Sequence, residues 1–478
     1  MRTRNGNQVA AGKPHAGLVH ELKKNRSLFV LISPGVLFAL VFSYIPLAGL
    51  YFAFTRFNFR DGLWNSPFVG LQNFDFLFRS SILLGITKNT ILYNIAFIIF
   101  GNLTAILAAV FLSEIRSRRF KKITQSVLFR PYFVSFVLIA AFVYNLFNYE
   151  YGTLNNILRG FGLEPVDLYS ETGIWKYILV AFHVWKQLGY CSVIYMAAIL
   201  GIDDAIYEAA EIDGAHVFQK VWYVVLPQIV STFFVILMFN IGSILKGQFD
   251  LFWQVIGNNS LLYKATDIID TYVYRTLTTT FDMGMATAAG LYQSVFGLVL
   301  VTIVNAILKK TSPENALCEA VSARNARHAL QGSARMVSFP DRRIAMGRKD
   351  KHLLLFNFLG YSYVLIMCLF CLIPFWLLIS GSFTTERYVI THGYGFIPGE
   401  FTLDAYRLAF GTSVSVLKAY GVSVGVTVSG TLLGLALMSA TAYVLSRKDF
   451  RYRGGLSFYF YFTMLFSGGI VPAYIMWS

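Results

Sequence analysis

Long apolar runs constrain this chain more than any other feature of it. A hydrocarbon layer about 30 Å thick needs about 20 apolar residues in a helix to cross it. Six runs of that kind fill the first two-thirds of the sequence, near 28–54, 87–112, 123–147, 174–200, 224–247 and 286–308. In lipid the backbone must satisfy its own hydrogen bonds, so continuous runs of this length read as helices, whereas barrel strands would alternate. Only 14% of the 478 residues are charged, against roughly a quarter in a soluble domain. The expected fold is all-α and polytopic.

The basic residues set the orientation. The net charge of +15 suggests nucleic acid until the positions are read: Lys and Arg fall in short blocks between the apolar runs, as membrane topology is marked. Lys23, Lys24 and Arg26 precede the first run; Arg116, Arg118, Arg119, Lys121 and Lys122 fill the turn between the second and third; Lys309 and Lys310 follow the sixth. All three places are expected on the cytoplasmic side, with the N-terminus inside, and alternate counting of helices agrees. The stretch 148–173, holding Glu150, Glu164, Asp167 and Glu171 against the single Arg159, fits the outer side. The loop 201–223 then falls in the cytoplasm. No cleavable signal peptide is expected, because the first run is too long and lacks a small-residue cleavage site.

The domain reading is a cytoplasmic tail over 1–27, a six-helix unit over 28–310, a polar basic linker over 311–351 and a second membrane unit over 352–478. In the second unit Arg348, Lys349 and Lys351 precede a helix near 353–380. Arg447, Lys448, Arg451 and Arg453 follow another near 416–445, and a third run starts about Leu456. Both units open in the same order of basic block, helix, outer loop, helix, basic turn and helix, a weak internal repeat of a kind transporters carry. Four cysteines are too few for a disulfide framework. Cys368 and Cys371 form a C-x-x-C inside the run Leu353–Ser380, where two small residues of a lipid-buried helix are expected.

The cytoplasmic loop 201–227 carries the most specific pattern. Glu208-Ala209-Ala210-Glu211-Ile212-Asp213-Gly214-Ala215 is followed by Val224-Val225-Leu226-Pro227. A short amphipathic helix is expected over Ile202 to Asp213, with Ala209 and Ala210 small enough for close approach of a partner. Gly214 supplies the positive φ of a sharp turn. A second short helix with Phe218, Val221 and Trp222 leads to Pro227 at the start of the fifth span. Ile212, Phe218 and Trp222 are expected as exposed apolar residues of a protein interface.

That spacing resembles the signature loop of binding-protein-dependent ABC transporter permeases. The match runs through Glu208, Ala209, Ala210, Gly214, Val224, Leu226 and Pro227, with Val224 in place of the usual Ile. The resemblance implies the fold of a type I ABC importer transmembrane domain. It also implies that the loop, Asp213 included, is a coupling helix seated in a cleft of a separate ATPase, which itself binds ATP and Mg. An extracellular solute-binding protein and a second permease subunit are the further partners implied, in a bacterial plasma membrane. Ser33-Pro34-Gly35, Tyr44-Ile45-Pro46, Val69 to Phe74 and Arg130-Pro131-Tyr132 are similar to sugar-type permeases of the oligosaccharide-uptake subgroup. Pro374-Phe375, Ser380 to Ser382, Leu403 to Tyr406 and Gly468 to Pro472 are similar to the partner permease of that subgroup. The second unit departs from the family in stopping before a coupling loop of its own. Met346 to Lys351 resembles the start of an independent protein, so the expectation is a permease fused to about three helices of a truncated partner, with a tandem fusion clipped at its end as the alternative.

No ATP chemistry is expected in the chain, since its Gly12-Lys13 pair is followed by Pro14 and no P-loop exists. H-E-x-x-H is also missing. For the solute, polar residues at membrane depth are the candidates: Asn102, Asn145, His183, Lys186, Gln187, Asn240 and Lys246. Trp185, Tyr195, Asn240 and Tyr292 offer the amides, hydroxyls and ring faces that sugars need. For each of these, helix–helix hydrogen bonding or an interfacial belt is the competing role. A secondary transporter would need ion-coupling carboxylates within the helices, but Asp and Glu are nearly confined to loops; a membrane enzyme would need convergent catalytic groups, and none converge.

Overall fold

The computed structural model describes residues 24–58, 60–75, 81–115, 117–311, 351–411, 414–447 and 450–466. The expected linker and most of the expected N-terminal tail lie outside these, as does the continuation of the third run of the second unit past Phe466. Among the described residues the secondary structure is helical, with two isolated β-bridges and no strand.

The membrane-length elements follow the apolar runs. Helix α1 (Arg26–Ala39) continues through a wide π turn, Leu40–Tyr44, into a 3₁₀ segment, Ile45–Phe54. The wide turn has a local cause: Pro46 has no N–H and its ring crowds the preceding turn, and the Ile45 N–H reaches five residues back to Leu40 O. Helix α2 (Ser81–Glu114) is the second span. The third is broken: α3 (Arg118–Phe129) and a 3₁₀ turn at Arg130–Phe133 meet α4 (Phe136–Phe147) at 97°. The run expected near 123–147 is broken at the turn that holds Arg130-Pro131-Tyr132, because Pro131 interrupts the ladder and Ser135 caps a new helix by accepting from Leu138 N. Helix α5 (Thr153–Gly160) lies in the loop before α6 (Trp175–Leu200).

Helix α6 turns by 71° into α7 (Asp204–Ile212); then come α8 (Val217–Lys220), a π turn at Val221–Val225 and α9 (Leu226–Gly242). Helices α10 (Phe249–Ile256) and α11 (Ile269–Thr280) separate α9 from α12 (Met283–Thr311). Further along the chain come α13 (Lys351–Ser382), α14 (Val414–Ser446) and α15 (Arg453–Leu465), close to the spans expected there.

Two compact units result: Met1–Leu47 with Lys418–Met464, and Ala48–Leu417 with Leu465–Ser478. In the first, Leu28 and Ile32 of α1 pack with Val444 and Phe450. Tyr44 stacks on Tyr459 at 4.4 Å, its hydroxyl donates to Tyr459 O, and Tyr459 Oη donates back to Val36 O. In the second, α6 is the central helix. Ala105, Ala108 and Ala109 of α2 are fully buried, small residues that allow close backbone approach. Trp175, Leu179 and Ile199 of α6 complete that core. Helix α13 joins it through Phe356 and Tyr363, both in ring contact with Phe111, and through a hydrogen bond from Tyr363 Oη to Thr104 O at 2.9 Å. Cys371 of α13 is buried, and Cys191, Cys368 and Cys371 are free thiols.

The loops after α1 and after α13 close in the same way. Thr55 bridges Phe68, with Arg56 N donating to Pro67 O and Val69 N to Phe54 O. Thr384 bridges Phe401, with Thr385 N donating to Glu400 O and Thr402 N to Phe383 O. Each is a Phe-Thr pair returning to a Phe through the same two backbone bonds, a repeat in structure that topology alone only suggested.

A candidate ATPase-coupling turn and pathway

Between α6 and α9 the chain builds a capped turn from local signals. Asp203 caps α7 by accepting from Ala205 N at 3.0 Å. At the other end Gly214 has φ +74°, Ala215 N donates to Ala210 O and Gly214 N to Glu211 O. This is the paired-bond ending that a left-handed glycine permits. His216 then caps α8 reciprocally: Gln219 N donates to its Nδ1, and His216 N donates to Gln219 Oε1. Lys220 Nζ meets Glu211 Oε1 at 2.8 Å, tying α8 back to α7 across the turn. Pro227 offers no N–H and crowds the turn before it, so Leu226 N reaches back to Val221 O and the chain widens into the π turn.

This element presents one face outward. Tyr207 of α7 is buried, whereas Glu208, Ala209, Asp213 and Gly214 are exposed and Ile212 is 86% exposed. Trp222 is also exposed. Phe218 departs from expectation: it packs on Phe356 of α13 at 5.3 Å, and beside it His216 stacks on His352 at 4.5 Å. Leu226 is half-buried and Pro227 exposed at the base of α9.

The pathway candidates divide. Trp185 is buried, and its Nε1 donates to Phe370 O at 3.2 Å. That carbonyl lies four residues before Pro374, which cannot donate to it. Tyr195 is fully buried, with its hydroxyl on Asn102 Oδ1 at 2.6 Å. His183 is buried and stacks on Phe97 at 3.8 Å. Asn145, Gln187, Lys246, Asn240 and Tyr292 are half-buried.

The sequence reading missed a polar layer between α2 and the segment 243–270. Asn94 Nδ2 donates to Ile244 O, Asn89 Nδ2 to Asp267 O, Tyr93 Oη to Ala265 O, and Thr90 Oγ1 accepts from Ile269 N. Asp270 accepts from Gly247 N at 2.6 Å and from Gln293 Nε2 at 3.2 Å. Burial raises its carboxyl to about 6, partly offset by those donors and by Lys246. The available signal was the spacing of Asn89, Thr90, Tyr93 and Asn94 on one stripe of an apolar helix. Among the described residues no three His, Cys, Asp or Glu side chains gather as a metal site.

Comparison with known proteins gives one answer. The family described as the binding-protein-dependent transport system inner membrane component matches residues 101–313. Protein LplB of Bacillus subtilis (strain 168) is 31% identical over 293 residues, covering 61% of this chain and 92% of LplB. The polygalacturonan/rhamnogalacturonan transport system permease protein YtcP of the same organism is 43% identical over 122 residues, 26% of this chain and 42% of YtcP. A chain from the crystal structure of a bacterial alginate ABC transporter, in complex with an alginate pentasaccharide-bound periplasmic protein, aligns with TM-score 0.56. It is 30% identical and covers 62% of this chain and 98% of that one. With its all-α type I importer fold and its multi-pass helices, the chain belongs to the inner-membrane permeases of binding-protein-dependent ABC transporters, of the sugar and oligosaccharide type.

Proposed function

We propose that the chain forms part of the translocation pathway of an ATP-driven oligosaccharide importer, and that the turn Asp203–Pro227 is where a separate ATPase drives it. The capped and stapled geometry of that turn supports the reading. Its Gly214 ending and its Glu211–Lys220 ion pair hold α7 at a fixed angle. Exposed Ile212 and the small Ala209 offer a partner cleft an apolar knob with close backbone approach. A rigid element can transmit a push; a loose loop would absorb it. Glu208, Ala209, Ala210, Asp213, Gly214, Leu226 and Pro227 are the coupling residues.

In this reading ATP and Mg sit on the ATPase, and hydrolysis belongs to that subunit. A solute-binding protein delivers the saccharide at the outer loops, as a periplasmic protein accompanies the alginate transporter. The N-terminus is cytoplasmic, consistent with the basic blocks. Residues 351–466 act as the opening of a second permease unit. The twin Phe-Thr bridges support this, and the LplB and YtcP matches, 293 and 122 residues, have room to lie side by side in 478. Asn240 and Tyr292 are pathway candidates, with Trp185 and Tyr195 behind them in the wall.

The test is co-purification of an ABC ATPase with the tagged chain from membranes, using the parent, Gly214→Pro and Glu208→Ala. The reading expects the ATPase with the parent and its loss with Gly214→Pro, while membrane insertion is unchanged. Equal recovery with all three chains rejects the coupling assignment.

A further inference from the structure

Lys186 is an ammonium inside a membrane helix, 8% exposed, with no carboxylate facing it among the described residues. Its Nζ donates to Tyr132 O at 2.9 Å and to Val134 O. Both carbonyls lie at the break between α3 and α4, where the chain turns by 97°. A broken helix leaves carbonyls without an N–H, and in lipid such groups must find a donor. A cation at a helix C-terminus is also favoured by the peptide dipoles. The aromatic surroundings, Phe136 at 4.8 Å and Tyr132 at 5.9 Å from Nζ, add ring faces to the same charge.

Two neighbours on the same face of α6 grip the same break. Gly189, three residues on, lies so close to Leu128 that a Cβ would stand 2.2 Å from Leu128 O. Tyr190, four residues on, stacks on Tyr132 at 4.7 Å and 10°. The spacing of three and four residues is one helix face. Helix α6 joins α7 through the three-residue bend at 201–203, so the helix holding Lys186 is the one that the coupling turn adjoins.

We propose that Lys186 is a positioning residue that pins the break of the third membrane helix to α6, so that movement of the coupling turn is delivered to that break. The relay rests on the coupling function proposed above; the pin does not. The chain, with its four cysteines replaced by serine, carries nitroxide labels at Ile123→Cys and Val137→Cys, exposed positions on either side of the break. Pulsed electron resonance in lipid nanodiscs reads their separation. The parent is expected to give one narrow distance, Lys186→Met to lose it, and Lys186→Arg to retain it. Trp185→Phe, which removes the adjacent donor to α13, is expected to match the parent. A Lys186→Met distance equal to the parent's overturns the pin, as does an Arg variant as broad as the Met variant. If Lys186→Met yields no monodisperse protein, Lys186→Gln replaces it, and equality of Gln and Arg overturns the pin. With the ATPase bound and trapped by ATP and vanadate, the parent distance is expected to shift and the Lys186→Met distance not to follow. A shift that persists in Lys186→Met overturns the relay alone; no shift in the parent overturns the relay together with the coupling reading.

Discussion

The sharpest consequence of the packing concerns Gly189. An alanine there would place Cβ 2.2 Å from Leu128 O, 2.5 Å from Phe129 Cα and 2.6 Å from Leu128 C. Non-bonded carbons settle at about 3.5 Å, so α6 must retreat from α3 by about 1 Å. The obstacle is backbone, so no rotamer change relieves it. Overpacking of this kind costs about 1–3 kcal/mol, while Gly→Ala in a helix returns about 1 kcal/mol. Gly189→Ala should therefore destabilise the protein by up to about 2 kcal/mol, lowering the melting temperature by as much as a few degrees. Gly85→Ala and Gly101→Ala are the controls, since nothing lies within 4 Å of either added Cβ; these should be neutral or stabilising. Thermal unfolding followed by size-exclusion of the solubilised protein gives all three values. A Gly189→Ala protein as stable as the Gly85→Ala and Gly101→Ala controls would refute the close α3–α6 contact.

Asp270, between the fifth and sixth spans, should make stability pH-dependent. Its carboxyl is raised to about 6 by burial, so the native state holds the proton more tightly than the unfolded chain does. Its contribution is then fully present below about pH 4 and is lost as pH rises through 6, by roughly 3 kcal/mol at most for two units. Melting curves between pH 5 and 8 should show Asp270→Asn gaining on the parent as pH rises; parallel curves would reject the assignment. Glu211→Lys and Lys220→Glu should each weaken the coupling turn by no more than about 1 kcal/mol, because Glu211 is 40% exposed and water screens the pair. The double swap should restore ATPase recovery, and a swap no better than either single change argues against the staple. Tyr195→Phe leaves Asn102 Oδ1 without its buried donor and should cost about 1–3 kcal/mol. A double-mutant cycle with Asn102→Ala that proves additive would show that the two side chains do not interact.

What was legible in the sequence was what the chain settles locally. Lipid demands unbroken apolar helices, so the spans could be read from the runs. The shape of the turn between α6 and α9 was legible because Gly214 and Pro227 act within a few residues of themselves, as left-handed ending and ladder stop; the cap at Asp203 was not read. The fates of Phe218 and Trp185 were not, since each is decided by α13, more than a hundred residues on: Phe356 covers one and the carbonyl freed by Pro374 takes the other. The break at Arg130–Phe133 had a visible sign in Pro131, but proline also occurs inside α1 and α13 without a comparable bend. Whether a proline bends a span depends on who answers the carbonyl it orphans.

That dependence changes how polar residues in a membrane helix are to be weighed. Every discontinuity in a span creates carbonyls that lipid cannot satisfy, and each one claims a donor before any solute can. In this chain the break in the third span claims Lys186, the carbonyl freed by Pro374 claims Trp185, and the irregular segment after α9 claims Asn94 and Gln293 through Ile244 O and Leu245 O. Tyr195 is spent on Asn102. Of the four side chains first picked for the pathway, Asn240 and Tyr292 are left half-open, on α9 and α12. Those two helices approach each other closely, a Cβ at Gly297 standing 2.8 Å from Gly242 O. Helix α9 also rises directly from the coupling turn. Of these two, Asn240 falls on the helix that the proposed ATPase contact would move first, which is where alternating access would require solute contacts to change.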